Sequence, residues 1–471
     1  MLFTFEATPT KMRTLILVKD DKAFASKKYS RHINRLTRFD DQPVKESLSS
    51  QFGHITFISI DTHKTPSDWL DIGLKAGSRI RGQKTTDWQC LLYTCNDQQI
   101  SQFCCGLAHA LCKFDTYKTN NTDSKTHIKI ICDQPSRTQK AFEHMHHLIE
   151  GQNWTKDLVN RPSNDLTPER FADEARDILT QSGCEIHVYD AKEMTEKGMH
   201  AFVGVGKGSA NQPRYLTALW QGNPNDKNIY ALVGKGVTFD TGGISLKPAL
   251  NMHKMKYDMT GAATVLGTLL AISKNKLPIN IIVGVGLAEN MPGSNAQKPG
   301  DVVTTLSGKT VEVQNTDAEG RMILCDVLYD IVDRYKPSAI IDCATLTGSV
   351  IVALGHCYAG LFSNDKQLTK ELKDIGISTG EELWHMPLHP AYAYDLKSSI
   401  ADLNHIGYNG AGSCTAAQFL SHFVKETPWA HIDMAGTAWI EQGKTLKPHG
   451  PSGYGVQLLY QWAHNRSLDA K

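Results

Sequence analysis

The sequence predicts an α/β protein in three parts. These are a smaller N-terminal α/β domain over residues 1–135, a linker helix over 136–160, and a larger C-terminal α/β domain over 161–471 with a mostly parallel central sheet. Three observations predict this. Apolar runs of strand length at 229–234, 279–287, 339–343 and 431–434 are separated by helical patterns, as in an open sheet with crossover helices. The chain changes character near residue 135, before which short apolar runs alternate with polar stretches. Across that junction Phe142, Met145, Ile149 and Trp154 approximate helical spacing, and the pattern stops before Pro162.

Taken in order, the N-terminal part offers Leu15–Val18, Ile55–Ile60 and Leu91–Tyr93 as strand-length runs, with the polar stretch 118–127 as a surface loop. Residues 11–38 carry nine Lys and Arg against Asp20 and Asp21. That segment reads first as a solvated surface and second as a contact surface for a partner or nucleic acid. His144, His146 and His147 lie in the linker helix without an HExxH or HxxEH pattern, so they read as a polar face and not as ligands. Thr167, Pro168 and Glu169 form a helix start, with a hydroxyl N-cap followed by proline at the first helical position. The strand 184–190 follows, then the four buried runs. Such sheets place their chemistry beyond the carboxyl ends of the strands.

Composition narrows the class. The chain has 471 residues, with 50 Lys and Arg against 49 Asp and Glu, a net charge of +1. That argues against a generally basic nucleic-acid coat and against an acidic solvating tail. The cysteines number 11, form no C-x-x-C pair and include the adjacent Cys104 and Cys105, which disfavours a disulfide framework. No apolar run approaches membrane-spanning length, and Leu15–Val18 is too short for a signal sequence, so the expected location is the cytoplasm.

Three familiar motifs are missing. The segment 204–209 lacks the spacing of a phosphate-binding P-loop, no G-x-G-x-x-G follows a strand, and there is no G-x-S-x-G elbow. Three other segments stand out. In 232–248 a strand runs into a glycine-rich loop with Lys235, Asp240 and Lys247; alone, it is equally a turn. In 255–272 Asp258 sits just before a helix, where the helix dipole alone would account for it. In 311–332 Asp317, Glu319 and Arg321 recur at spacing two, which puts all three on one face if the backbone is extended, ahead of the stripe Ile323, Leu324, Val327, Leu328, Ile331 and Val332.

Together these residues predict a dinuclear site. Adjacent carboxylates resist joint ionisation without cations. Two divalent ions balance Asp240, Asp258, Asp317 and Glu319, and two ions at about 3.5–4 Å can share one activated water. Lys247 and Arg321 then leave about two positive charges for an oxyanion or a bound anion.

The same segments resemble the cytosolic leucyl aminopeptidase family of dinuclear metallo-exopeptidases. The resemblance covers about 153–461 and rests on 315–321 (NTDAEGR), 232–248 and 255–263, with further support at 160–169, 289–303, 344–349, 400–407 and 427–439. It implies that Asp240 and Glu319 bridge the ions, that Asp317 completes the more exchangeable site, and that Lys235 and Asp258 complete the tighter one. It further implies that Lys247 polarises the carbonyl, that Arg321 holds a bicarbonate as general base, and that Met255, Thr345 and Leu346 line the substrate site. Zinc or manganese, a homohexamer and peptide substrates with leucine-type N-terminal residues belong to the same expectation. Thr241, Pro248 and Thr260 depart from the commonest family forms beside the site. A dipeptidase acting on substrates such as Cys-Gly is the nearest alternative, and a DNA-binding or scaffold role using 11–38 is the more distant one.

Overall fold

The computed structural model describes residues 2–6, 13–18, 44–50, 53–59, 66–81, 87–92, 95–119, 126–441 and 448–469. Most of the basic segment 11–38 lies outside the described residues. The chain divides into two compact units, Met1–Ile149 with Gln442–Pro448, and Glu150–Glu441 with His449–Lys471.

The first unit holds a sheet of β1 (Leu2–Glu6), β2 (Arg13–Val18), β3 (Val44–Ser50), β4 (Gly53–Ser59), β5 (Asp87–Leu91) and β6 (His127–Ile131). The order is β1-β6-β5-β2-β4-β3, parallel throughout except for the β3–β4 edge pair. Helices Pro66–Ile80 and Asp97–Leu111 pack with it. Trp69, Trp88, Phe103, Ile128 and Ile130 fill the core. The expected linker helix is Pro135–Asn160; its residues to 149 belong to this unit and the rest to the next.

The second unit carries an eight-stranded sheet. Its strands are β7 (Glu185–Tyr189), β8 (Arg214–Gln221), β9 (Tyr230–Asp240), β10 (Asn280–Asn290), β13 (Ala339–Ala344), β14 (Ala359–Ser363), β15 (Leu383–His385) and β17 (Trp429–Asp433). The order is β15-β14-β17-β13-β9-β10-β8-β7. The four runs read from the sequence are β9, β10, β13 and β17, and they form the parallel centre. The edges include antiparallel pairs, β14 with β17, β10 with β8, and β8 with β7. Strand 185–189 is therefore an edge strand, and its only partly buried residues fit that place. A small sheet of β11 (Val302–Thr304), β12 (Thr310–Glu312) and β16 (Leu403–Asn404) lies apart.

Local chemistry accounts for the helices around this centre. Thr167 accepts from the backbone N–H of Arg170, and Pro168 opens helix Pro168–Gln181, as the sequence predicts. Helix Gly320–Tyr335 buries Ile323, Leu324, Val327, Leu328 and Ile331 completely. Helix Thr260–Lys274 is buried along its length from Thr260 to Ser273, and small residues allow it: a Cβ on Gly261 would collide with the Cys343 carbonyl. The 11 cysteines form no disulfide among the described residues. No described helix is long and apolar enough to cross a membrane.

Candidate metal centre

The four parallel strands end side by side on polar residues. β9 ends at Asp240, β10 at Asn290, β13 at Ala344 just before Thr345, and β17 at Asp433. In the β9–β10 ladder Asp240 stands opposite Asn290. Asp240 Oδ1 accepts from Asn290 Nδ2 at 2.8 Å and from the Gly242 N–H at 2.9 Å. Asn290 Nδ2 also donates to the Thr316 carbonyl at 3.0 Å, and Thr316 Oγ1 donates to the Gly242 carbonyl at 2.6 Å. These bonds staple the loop after β9 to the turn that carries Asp317.

The structure corrects one premise. Residues 315–319 are not extended: they form a turn, Glu319 has helical backbone angles, and Arg321 is already inside the helix. The spacing of two therefore does not set one common face. What brings the carboxylates together is the turn: single ligand atoms of Asp240, Asp317 and Glu319 lie within 4.8 Å of one another. Gly242 makes the approach possible. Its φ is +88°, and a Cβ there would sit 2.7 Å from Asp317 Oδ1.

Two lysines thread this cluster. Lys235, on β9, is 97% buried. Its Nζ lies 2.9 and 2.8 Å from the two oxygens of Asp258, 2.7 Å from Glu319 Oε1, and donates to the Thr345 carbonyl at 3.1 Å. Thr345 Oγ1 donates to Asp258 Oδ1 at 2.7 Å. Lys247, less buried, lies 2.7 Å from Asp240 Oδ2 and pairs with Asp317. Asp258 itself sits in the 3-10 helix Met252–Met259, just before helix Thr260–Lys274 as expected.

The electrostatics are those of a centre short of positive charge. Burial, then Glu319, pushes the Asp240 carboxyl up to about 7 against the pull of Lys247 and Lys235. Burial likewise raises Asp258, against Lys235, and Asp317, against Lys247. Glu319 alone falls below its ordinary value, because Lys235 and Lys247 outweigh its burial. Burial pulls Lys235 down, but Asp258, Glu319 and Asp240 outweigh that and hold the ammonium above its usual range. Asp258 Oδ2 and Glu319 Oε1 are buried and meet only the Lys235 ammonium, at 2.8 and 2.7 Å. Hard oxygen donors, two of them met in the interior by one shared ammonium, fit divalent cations.

Arg321 lies next to this set. Its Nη1 donates to the His405 carbonyl at 2.6 Å, and its buried Nε–H has no partner. Burial lowers its pKa to about 10, with Glu319 and Asp433 acting in the other direction. The structure thus brings together Lys235, Asp240, Lys247, Asp258, Asp317 and Glu319, with Thr345 bonded to Lys235 and Asp258. Leu346 is the next residue along the chain and Met255 is one turn ahead of Asp258; both are half-buried.

The catalytic-domain profile of the cytosol aminopeptidase family matches residues 153–460. The chain belongs to the cytosol aminopeptidase family. It is a metal-dependent aminopeptidase. Similar proteins include the probable cytosol aminopeptidase of Rickettsia massiliae (strain Mtu5), 44% identical over 84% of this chain and 79% of that one. The probable cytosol aminopeptidase of Rhizobium johnstonii is 44% identical over 84% of this chain and 81% of its own length. Among solved structures, the bottromycin maturation enzyme BotP in complex with Mn is similar over 97% of this chain and 99% of its own, with a TM-score of 0.85 and 30% identity. Sequence reasoning gave no role to Asn290, His405 or Asp433. Asn290 lay just past the run 279–287, in the segment 289–303 noted for its resemblance; Asp433 lay in the run 431–434 and His405 in the segment 400–407, and none was singled out.

Proposed function

We propose that this aminopeptidase releases N-terminal residues, leucine-type side chains foremost, at a centre of two divalent ions. Lys235 and Asp258 would complete one site and Asp317 the other, with Asp240 and Glu319 shared. The observation that carries the reading is the convergence of four carboxylates on two lysines, with Asp258 and Glu319 sharing the buried Lys235 and single oxygens of Asp240, Asp317 and Glu319 within 4.8 Å of one another. A donor set of carboxylates and one amine, without thiolate or imidazole, fits zinc or manganese, and manganese accompanies the similar BotP. The ions when bound would supply an activated water and an electrophile for the carbonyl.

The chain's own residues do the rest. As a ligand Lys235 gives up its proton, which a nearby dication favours. Lys247 keeps its charge and is placed to meet oxygen charge developing on the carbonyl. Arg321 offers an unpaired Nε–H to a small anion, with bicarbonate as the proposed occupant and general base. A homohexamer acting on peptides in the cytoplasm completes the proposal.

The test is cleavage of leucyl amide beside N-acetyl-leucyl amide, with and without chelation. An exopeptidase needs the free α-amino group as its second anchor, so acetylation should slow cleavage at least about 10³-fold, or about 4 kcal/mol. Comparable rates on both substrates, or full turnover in metal-free protein, would overturn the reading.

A further inference from the structure

Asp433 ends β17 and is completely buried. Its Oδ1 accepts from the backbone N–H groups of Leu346 at 3.1 Å, Ala435 at 3.3 Å and Thr347 at 3.4 Å. Its Oδ2 accepts from the Thr347 hydroxyl at 2.6 Å. That hydroxyl in turn accepts from the Val350 N–H at 3.2 Å and caps helix Gly348–Leu354. One carboxylate therefore fixes the outer end of the loop after β13.

The inner end of the same loop belongs to the metal centre. The Thr345 carbonyl accepts from Lys235, and its hydroxyl donates to Asp258. Residues 345–347 are thus held at both ends, with no residue to spare between the clamps. Leu346, in the middle, leaves part of its side chain open and packs the rest against the core. A buried aspartate accepting four hydrogen bonds would by itself be a loop staple. What goes beyond a staple is that the residues it holds, Leu346 and Thr347, directly follow Thr345, which is bonded to the centre.

Resting on the aminopeptidase reading, we propose that Asp433 is a positioning residue: it sets where Thr345 and Leu346 stand beside the centre and so how the enzyme discriminates among N-terminal side chains. Asp433 touches no substrate. It acts through the loop, on a part of the substrate remote from the reacting bond, so its loss falls on KM and on selectivity more than on kcat. An asparagine can keep one oxygen toward the three N–H groups and turn its amide toward the Thr347 hydroxyl, which then accepts.

The experiment measures kcat and KM on leucyl and alanyl p-nitroanilides for wild type, Asp433→Asn and Asp433→Ala, with metal content and thermal midpoint for each. Asp433→Asn should keep the leucyl-to-alanyl ratio of kcat/KM within about threefold of wild type. Asp433→Ala should compress that ratio by about tenfold or more, chiefly through a higher KM for the leucyl substrate, at wild-type metal content; a misplacement of about 1 Å is worth up to about 10²-fold. A folded Asp433→Ala with the wild-type ratio would reduce Asp433 to a staple and overturn the proposal. Equal impairment of both variants would overturn it too, because the charge and not the loop geometry would then be what matters. If Asp433→Ala does not fold, Thr347→Val removes the hydroxyl arm of the same clamp: a compressed ratio supports the proposal, and an unchanged one overturns it. Wild-type protein that cleaves neither substrate would overturn the parent reading and this one with it. Wild-type turnover beside an unchanged variant sinks this one alone.

Discussion

Replacing Gly320 with alanine places one methyl group against the lysine at the heart of the centre. Gly320 is the first residue of helix Gly320–Tyr335, and its α-carbon faces the Lys235 side chain. A Cβ there would lie 2.7 Å from Lys235 Cδ, 2.8 Å from Cε and 2.9 Å from Nζ. Ordinary carbon contacts begin near 3.4 Å, so the lysine must give by about 0.5–0.7 Å. It has little room, because its Nζ is held by Asp258, Glu319 and the Thr345 carbonyl. Overpacking of this kind costs about 1–3 kcal/mol, and alanine's better helix propensity offsets part of that. The fold should therefore survive while the centre is disturbed. Displacement of a proposed ligand by more than half an ångström should lower kcat/KM about 10²-fold, or about 3 kcal/mol of transition-state stabilisation. Metal affinity should fall in parallel, read by chelator competition, with thermal unfolding as the control. A folded Gly320→Ala variant with wild-type kcat/KM and wild-type metal affinity would refute Lys235 as a ligand whose position matters.

Lys247→Ala should lower kcat by about 10²–10³ with a modest change in KM, since its charge acts on the developing oxyanion; a rise in KM alone would make it a substrate-binding group only. Arg321→Ala should leave the rate insensitive to added bicarbonate, and unchanged sensitivity would remove the proposed anion role. His405 is buried and neutral, its pKa lowered to about 4 by burial and then by Arg321. The unfolded chain therefore takes up that proton first as pH falls from about 6.5 to 4, and folding stability drops by up to about 3 kcal/mol over that window. Urea unfolding of wild type and His405→Gln at several pH values checks this, and an unchanged acid slope in the variant would rule His405 out as its source.

The fold was legible where periodicity and chemistry agree. The runs at 229–234, 279–287, 339–343 and 431–434 are apolar on both faces because helices or loops cover both faces of the parallel centre, and their lengths point to strands. Thr167 and Pro168 announced a helix start that depends only on adjacent residues. The direction of the edge strands was not legible, because pairing partners are chosen by tertiary contact and the pattern of 185–189 is the same either way. The turn at 315–319 was misread for a related reason. The alternate spacing shares a face only on an extended backbone, but Thr316 is claimed by Gly242 and Ser245, and those bonds form only once β9 and its loop are in place.

The candidate site shows the same division. Residue types and charge were visible, so four carboxylates and two positive groups could be counted before any fold was known. The partners that aim them were not visible. Asn290 meets Asp240 across a parallel ladder, and Asp433 at the end of β17 meets Leu346 in the loop after β13, contacts 50 and 87 residues apart in sequence. The count acquires its meaning only with that geometry. Four carboxylates against the ammonium groups of Lys235 and Lys247 leave two uncompensated negative charges, and burial answers by pushing Asp240, Asp258 and Asp317 toward their neutral forms. The Lys235 ammonium lies between Asp258 and Glu319 and is the one cation that both carboxylates share. A single positive charge therefore occupies a place built for more. Replacing it with divalent charge would let every carboxylate ionise and free the lysine's lone pair to join the ligand set. It would also turn the balance positive, which is the balance an enzyme that must hold a developing oxyanion requires.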